Sequence, residues 1–243
     1  MEAGKFAIGL GAAESSINID PDLATNSIGY LLRATLNRQL AVIAQQRQHW
    51  RDYDSTTVAA VTDYKLLHEH QTVRSELETL HYCGAIFMAF QFKSFDVLSI
   101  NFETIIKLCE TIRDESLKPP AELLIARTLL ALRQIKNGRN ILTSILSHSG
   151  DAVQGQAFRF LVENIIDSIS DEEVQDKRDT DELYDEIEEL ENISSILQEP
   201  SLQIQLEFRA IQRRNSAKLK LYIYTALQQK QMKFLKFLTG LSN

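Results

Sequence analysis

Proline, glycine and cysteine are scarce in this chain, and each shortage excludes a class of protein. Its 243 residues include four prolines and nine glycines, whereas β-sandwiches and β-barrels need turn residues every ~8–12 positions. No proline lies between Pro21 and Pro119, so a turn-rich β protein is excluded. Two cysteines, Cys83 and Cys109, cannot build a disulfide framework, and their apolar surroundings are typical of small buried thiols.

Long hydrophobic runs and targeting signals are also missing. The most apolar stretch, Tyr82 to Phe92, has eleven residues, about half of the ~20 that a membrane-spanning helix needs. The N-terminal sequence contains Glu2 and is interrupted by Gly9 and Gly11, which does not fit a signal peptide. We therefore expect a soluble, acidic, cytoplasmic protein that is neither secreted nor membrane-spanning.

The net charge of −7 is divided into blocks of opposite sign. Residues 163–191 hold fourteen acidic and two basic side chains, a net charge of −12. Residues 207–236 hold eight basic side chains and one acidic, a net charge of +7. Such segregation is unlike the mixed charge of an ordinary globular surface and indicates an interaction surface.

Apolar residues recur at three- and four-residue steps along most of the chain, which predicts an all-α fold. One long helix is predicted over residues 20–51, starting at Asp20-Pro21, and a second over residues 58–92, after a break at residues 54–57. Because the link between them is short, antiparallel packing is favoured. We expect a multi-helix bundle of about seven or eight helices with a long N-terminal antiparallel hairpin.

The remaining pattern predicts shorter helices and three regions. Helices are expected over residues 102–113, 121–135, 141–146, 152–169, 181–197 and 202–238. Gly138 and Gly150 are predicted as C-cap glycines. Residues 1–19 are predicted to be a weakly ordered arm, residues 20–169 a helical core, and residues 170–243 a charged helical region packed on or beside that core.

The sequence predicts no catalytic residue, metal ligand or cofactor. Glu78-x-x-His81 places a carboxylate and an imidazole on one helix face, as in di-iron bundles, but no second Glu-x-x-His follows. Glu103 or Glu110 would have to complete a metal site. A histidine at the margin of the core is the favoured interpretation, and a site assembled from residues distant in sequence stays open.

The acidic block predicts a strongly acidic helix face. Its candidate surface residues are Asp181, Glu182, Asp185, Glu186, Glu188 and Glu189. Three interpretations are open: a solvated face, a docking surface that faces a basic partner or mimics nucleic acid, and an intramolecular clasp on the basic block.

The basic block predicts a binding surface for a partner or a membrane. Its candidate residues are Arg209, Arg213, Arg214, Lys218, Lys220, Lys230, Lys233, Phe234, Lys236 and Phe237. From Lys230 to Leu238, lysines recur every three residues with Phe, Leu and Met between them. This pattern is typical of a helix that docks in a partner groove, lies on an anionic membrane, or completes a core.

These observations predict a non-enzymatic helical interaction protein, an adaptor, regulator or assembly subunit. It would bind a protein partner through its charge-segregated C-terminal region. The first alternative is binding to an anionic membrane surface, and the second is a metal-dependent helical-bundle enzyme. Nucleic acid is disfavoured by the net negative charge, and an oligomer stays open.

Overall fold

Eight helices and no strand make up the part of the chain that the structure describes. The structure is a computed structural model, and it describes residues 2–70, 75–91, 101–148 and 150–170, together with Ile204 and Leu206. The helices are α1 (Glu2–Ile19), α2 (Ser27–Gln46), α3 (Trp50–Glu69), α4 (Glu76–Gln91), α5 (Thr104–Cys109), α6 (Lys118–Ala131), α7 (Ile135–His148) and α8 (Asp151–Ser170). The predicted all-α, multi-helix fold is confirmed.

The chain divides into two compact units, Met1–Thr128 and Leu129–Asn243. The first unit holds α1 to α5 and most of α6, and the second holds α7 and α8. The boundary between the units falls inside α6, whereas the sequence predicted a single core over residues 20–169. Of the charged region after Ser170, only Ile204 and Leu206 belong to the described residues.

Helices α2 and α3 form the predicted antiparallel hairpin, built on small residues. Ala41 and Ala44 on α2 are buried against Tyr53 on α3, whose side chain is fully buried. Alanine at these positions lets the two backbones approach while the tyrosine fills the space between them. The Tyr53 hydroxyl donates a hydrogen bond to the Met88 carbonyl at 3.0 Å, which ties α4 to the same hairpin.

A buried ion pair sets the register of the α2–α3 hairpin. Arg33 Nε donates to Asp63 Oδ2 at 2.8 Å, and Nη2 donates to Oδ1 at 2.7 Å. The Asp63 side chain is only 4% exposed. Close to this pair on the same two helices, the Thr35 and Tyr64 hydroxyls share a hydrogen bond of 3.1 Å. These directional contacts fix the position of one helix along the other, which apolar packing alone leaves less specified.

The first nineteen residues, predicted as a weakly ordered arm, contain helix α1. Ala13 and Ile17 are buried in the first unit. A Cβ at Gly9 would lie 3.2 Å from Leu36 Cδ1, so glycine permits the close approach of α1 to α2. Tertiary packing therefore outweighs the low helix propensity of the glycines in this segment.

Helix α2 begins at Ser27, not at Asp20 as predicted. The Asp20 carboxylate is occupied within the connecting turn, where it accepts from the Asp22 amide at 3.2 Å and the Thr25 hydroxyl at 2.7 Å. Asn26 is the N-cap, and its side chain accepts from the Gly29 amide at 3.2 Å. The predicted capping residue, Asp20, therefore lies in the turn before the helix, and Asn26 caps it instead.

The break between α2 and α3 lies at residues 47–49, not at residues 54–57. Gln48 has a left-handed φ of 60°, and the His49 amide bonds the Ala44 carbonyl at 2.9 Å, as in a Schellman helix end. Thr56 and Thr57 lie inside α3, where their hydroxyls bond carbonyls one turn earlier at 2.6 Å. The hydroxyls are thus satisfied without ending the helix.

The predicted second helix is divided into α3 and α4. Helix α3 ends at Glu69 and α4 begins at Glu76. Ser75 Oγ accepts from the Glu78 amide at 3.2 Å, so Ser75-x-x-Glu78 has the sequence of a capping box. This motif marked a helix start that the continuous apolar pattern concealed.

The middle of the chain also departs from the predicted helix bounds. Helix α5 covers Thr104–Cys109 rather than residues 102–113, and α6 begins at Lys118, three residues before the predicted start at residue 121. Prolines fit a first helical turn because its amides need no intrahelical acceptor. Gly138 is buried inside α7 and is not a C-cap; Arg133, with a φ of 63°, lies after the end of α6.

The second unit pairs α7 with α8. Helix α8 matches the helix that the sequence predicted over residues 152–169. Arg139 is buried, and its Nε donates to Asn164 Oδ1 at 2.7 Å. The apolar core between α7 and α8 includes Leu142, Ile145, Leu146, Phe158, Leu161 and Ile165. A polar pair between the helices is therefore embedded in apolar packing.

The Arg33–Asp63 pair yields a stability prediction. Asp63→Leu should lower the free energy of unfolding by about 3 kcal/mol, because it leaves the guanidinium without its buried partner. The double variant Arg33→Met/Asp63→Leu should recover most of that loss, since neither charge then remains. Urea denaturation of the two single variants and the double variant measures the coupling.

An exposed pair on the same helix provides the control. Lys65 and Glu69 lie 3.9 Å apart with side chains 33% and 59% exposed, so Lys65→Met/Glu69→Leu should show a coupling below about 1 kcal/mol. Equal coupling energies for the buried and the exposed pair would contradict the role assigned to Asp63.

Candidate functional site

Glu78 and His81 lie in a half-buried polar cluster between three helices. They are on α4, with Arg38 on α2 and Tyr64 on α3 as their charged or polar neighbours. The Arg38 guanidinium lies over Gly84, where a Cβ would be 3.8 Å from Nε. This Nε is buried and has no hydrogen-bond partner among the described residues.

The cluster keeps its imidazole neutral at neutral pH. Burial lowers the pKa of His81, the positive charge of Arg38 lowers it further, and the Glu78 carboxylate opposes them. Burial raises the pKa of the Tyr64 hydroxyl, against the hydrogen bond to Thr35 and the charge of Arg38. Both groups are therefore uncharged at neutral pH.

The same geometry bears on the metal-site interpretation of Glu78-x-x-His81. Within the described residues, no group of three or more His, Cys, Asp or Glu side chains is placed to hold a metal ion. Glu103 and Glu110 flank α5 and are exposed. A guanidinium beside the imidazole also repels a second cation. Glu78 and His81 are therefore not joined there by the further ligands that a metal centre requires.

A surface cleft of about 530 Å³ lies where α4 begins. It is lined by Ser75, Glu76, Leu77, Arg113, Asp114 and Leu117. Glu76 Oε2 accepts from the Arg113 amide at 2.8 Å and from the Asp114 amide at 2.7 Å. This carboxylate thus holds the chain that follows α5 against the start of α4, a structural use of an acidic side chain.

A second cleft, of about 270 Å³, lies at the turn of the α2–α3 hairpin. It is lined by Leu40, Ile43, Ala44, Arg47, His49, Asp52, Ser55 and Thr56. Its lining combines apolar, charged and hydroxyl side chains. Trp50 begins α3 and is 49% exposed.

Three isoleucines near the N-terminus are unusually exposed. Ile8, Ile19 and Ile28 have relative exposures of 78%, 85% and 79%. Single exposed apolar side chains are common on monomers, so these residues define no site by themselves. They do show that α1 and the start of α2 carry apolar groups that the fold leaves uncovered.

The binding residues predicted from the charge blocks lie outside the described residues. This applies to the acidic positions 181, 182, 185, 186, 188 and 189, and to the basic and aromatic positions 209, 213, 214, 218, 220, 230, 233, 234, 236 and 237. Their roles stay predictions from the sequence.

Comparisons with known proteins returned no relative for this chain. No protein-family model, curated protein or solved structure matches it. Among the described helices, none combines the length and the apolarity needed to cross a membrane. The class of protein that the described fold defines is therefore a two-unit helical protein, with a half-buried polar cluster in its first unit.

Sequence reasoning did not single out Arg33, Arg38, Asp63 or Glu76. Each lies on or beside an apolar stripe, and a charged residue there is a signal of buried pairing. The partner was not predictable, because it depends on how one helix is aligned with another.

The lowered pKa of His81 makes stability depend on pH. Below about pH 6.5 the unfolded chain binds a proton at this position more readily than the native chain. The free energy of unfolding should therefore fall as pH drops from about 7.5 to 5.5, by at most about 1.4 kcal/mol per pH unit from this residue. Urea denaturation of wild type and His81→Gln at both pH values measures this contribution.

Exposed His70 provides the matched control. His70→Gln should retain the wild-type pH dependence, whereas His81→Gln should reduce it. An unchanged pH dependence in His81→Gln would show that this imidazole is protonated equally in both states.

Proposed function

We propose that this chain is a helical interaction protein that binds a protein partner through its charge-segregated C-terminal region. The observation that carries the proposal is the pair of opposite charge blocks, −12 over residues 163–191 and +7 over residues 207–236. Charge at this density attracts a complementary surface and raises the rate of encounter more than the final affinity.

The described residues support this choice by how they use their polar groups. Arg33 and Asp63 bond each other. Glu76 accepts from backbone amides, and Arg139 donates to Asn164. These groups stabilise the fold and leave the charge blocks as the strongest candidates for recognition. The exposed isoleucines and the hairpin cleft add apolar surface that suits protein contacts.

The adjacency of the two blocks in sequence suggests how binding would be regulated. The acidic block would shield the basic block as an intramolecular clasp until a partner competes for it. Exposed ion pairs are screened over about 8 Å at physiological ionic strength, so the clasp would weaken with salt. Reversing the charge of Glu186, Glu188 and Glu189 should then raise partner affinity and reduce its dependence on salt.

The proposal predicts a partner that depends on the basic block. The tagged full chain, purified from its native source at low salt, should bring down a protein in stoichiometric amount. Reversing Arg213, Arg214 and Lys218 to glutamate should weaken that complex by about tenfold or more, because each reversed charge faces a complementary one. Quantitative binding to the purified partner measures the change.

A matched triple variant separates this effect from net charge. Lys5, Lys107 and Lys136 are exposed residues outside the block, and their reversal changes the net charge equally. Partner binding should survive in this variant. Recovery of the chain alone, or equal loss of binding in both triple variants, would contradict the proposal.

The lysine pattern at the C-terminus favours a second candidate, binding to an anionic membrane surface. From Lys230 to Leu238 basic and apolar residues alternate at helical spacing. Under this alternative, the full chain should sediment with vesicles that contain phosphatidylserine and not with neutral vesicles. Deletion of residues after Gln229 should abolish sedimentation. Equal sedimentation with both vesicle types would exclude an electrostatic membrane site.

A further inference from the structure

The chain's two cysteines meet in the core of the first unit. Cys83 on α4 is fully buried and Cys109 on α5 is 3% exposed. Cys83 Sγ donates to the Ile105 carbonyl at 3.9 Å. Cys109 lies one turn after Ile105 on the same helix, and its thiol is the first cause of the raised pKa of Cys83. Two buried cysteines 26 residues apart in sequence are thus brought to the same contact between α4 and α5.

Aromatic packing holds α5 in this position. The Phe102 ring, just before α5, stacks on Phe90 with centroids 3.7 Å apart and on Phe87 with centroids 5.7 Å apart. Phe102 is buried, as is Ile105 one turn later. The two thiols therefore lie in an apolar environment whose geometry is set by packing on both sides of α5.

The buried environment slows thiol oxidation, although the position of the two thiols favours the disulfide at equilibrium. Hydrogen bonding to Cys109 and burial raise the pKa of Cys83, so the thiol stays protonated and reacts slowly in the closed structure. Movement of the six-residue helix α5 away from α4 would expose it. Once either sulfur is activated, however, the other is already adjacent.

We propose that Cys83 and Cys109 form a two-electron redox site, a dithiol that a low-molecular-weight disulfide such as oxidised glutathione converts to an intramolecular disulfide between α4 and α5. Because the chain has no third cysteine, no other intramolecular pairing competes. The disulfide would join two helices whose connection in sequence runs through residues 92–103.

The reaction balances as two successive thiol–disulfide exchanges. The Cys109 thiolate attacks one sulfur of oxidised glutathione, a mixed disulfide forms, and one glutathione thiolate leaves. The Cys83 thiolate then attacks the Cys109 sulfur and expels the second glutathione. Two protons leave the cysteines, two electrons pass to glutathione, and one protein disulfide is formed.

A glutathione redox titration of the full chain tests the proposal. Samples that start reduced and samples that start oxidised are equilibrated until both contain the same fraction of disulfide. They are then quenched with acid, and their masses are measured by mass spectrometry. The disulfide form is lighter by two hydrogens than the dithiol. The same titration in urea gives the value for the unfolded chain, and starting from both directions keeps slow exchange from being mistaken for stability.

The native chain should form the disulfide about a hundredfold more readily than the unfolded chain, because the fold removes the loop-closure entropy of a ring of this size. The oxidised chain should also require more urea to unfold than the reduced chain. Cys83→Ala should stop at the glutathione adduct on Cys109. Equal or weaker disulfide formation in the native chain, or only adducts and disulfide-linked dimers, would overturn the proposal.

Discussion

The bidentate pair between Arg33 and Asp63 is the constraint on which the first unit depends. A carboxylate that is 4% exposed requires a partner with two well-placed donors, and this requirement fixes how α2 and α3 align. Helix α1 then packs on α2 beside Leu36, and α4 packs on α3 through Tyr53 and Tyr82. One ion pair thereby sets the frame within which four helices find their neighbours.

A second group of polar side chains, around Arg38, also lies between helices of the first unit. Arg38 lies among Tyr64, Glu78 and His81, and the imidazole remains neutral because burial and the guanidinium both oppose its protonation. Such a cluster orients helices without offering a charged nucleophile. Arg33, Asp63, Glu76 and Arg139 likewise have their polar partners within the fold.

Amphipathic periodicity predicted the helical class and the N-terminal hairpin, since a repeated apolar stripe has one favourable way of being buried. It predicted the bounds of α8 but not those of most other helices. Gln48 and Arg133 adopt the left-handed conformation at helix ends where glycine is usual, while Gly138 lies inside a helix. Asp20, the predicted cap of α2, bonds within the preceding turn, and Asn26 caps the helix.

The sequence by itself determined the all-α class, the scarcity of turns, the segregation of charge and the presence of only two thiols. These properties follow from composition and local spacing, which need no knowledge of distant contacts. Tertiary structure alone decided that Arg33 meets Asp63 and that Cys83 meets Cys109. Both meetings join different helices, and their geometry depends on helix rotation and register, which are set by the packing of whole faces rather than by any local pattern.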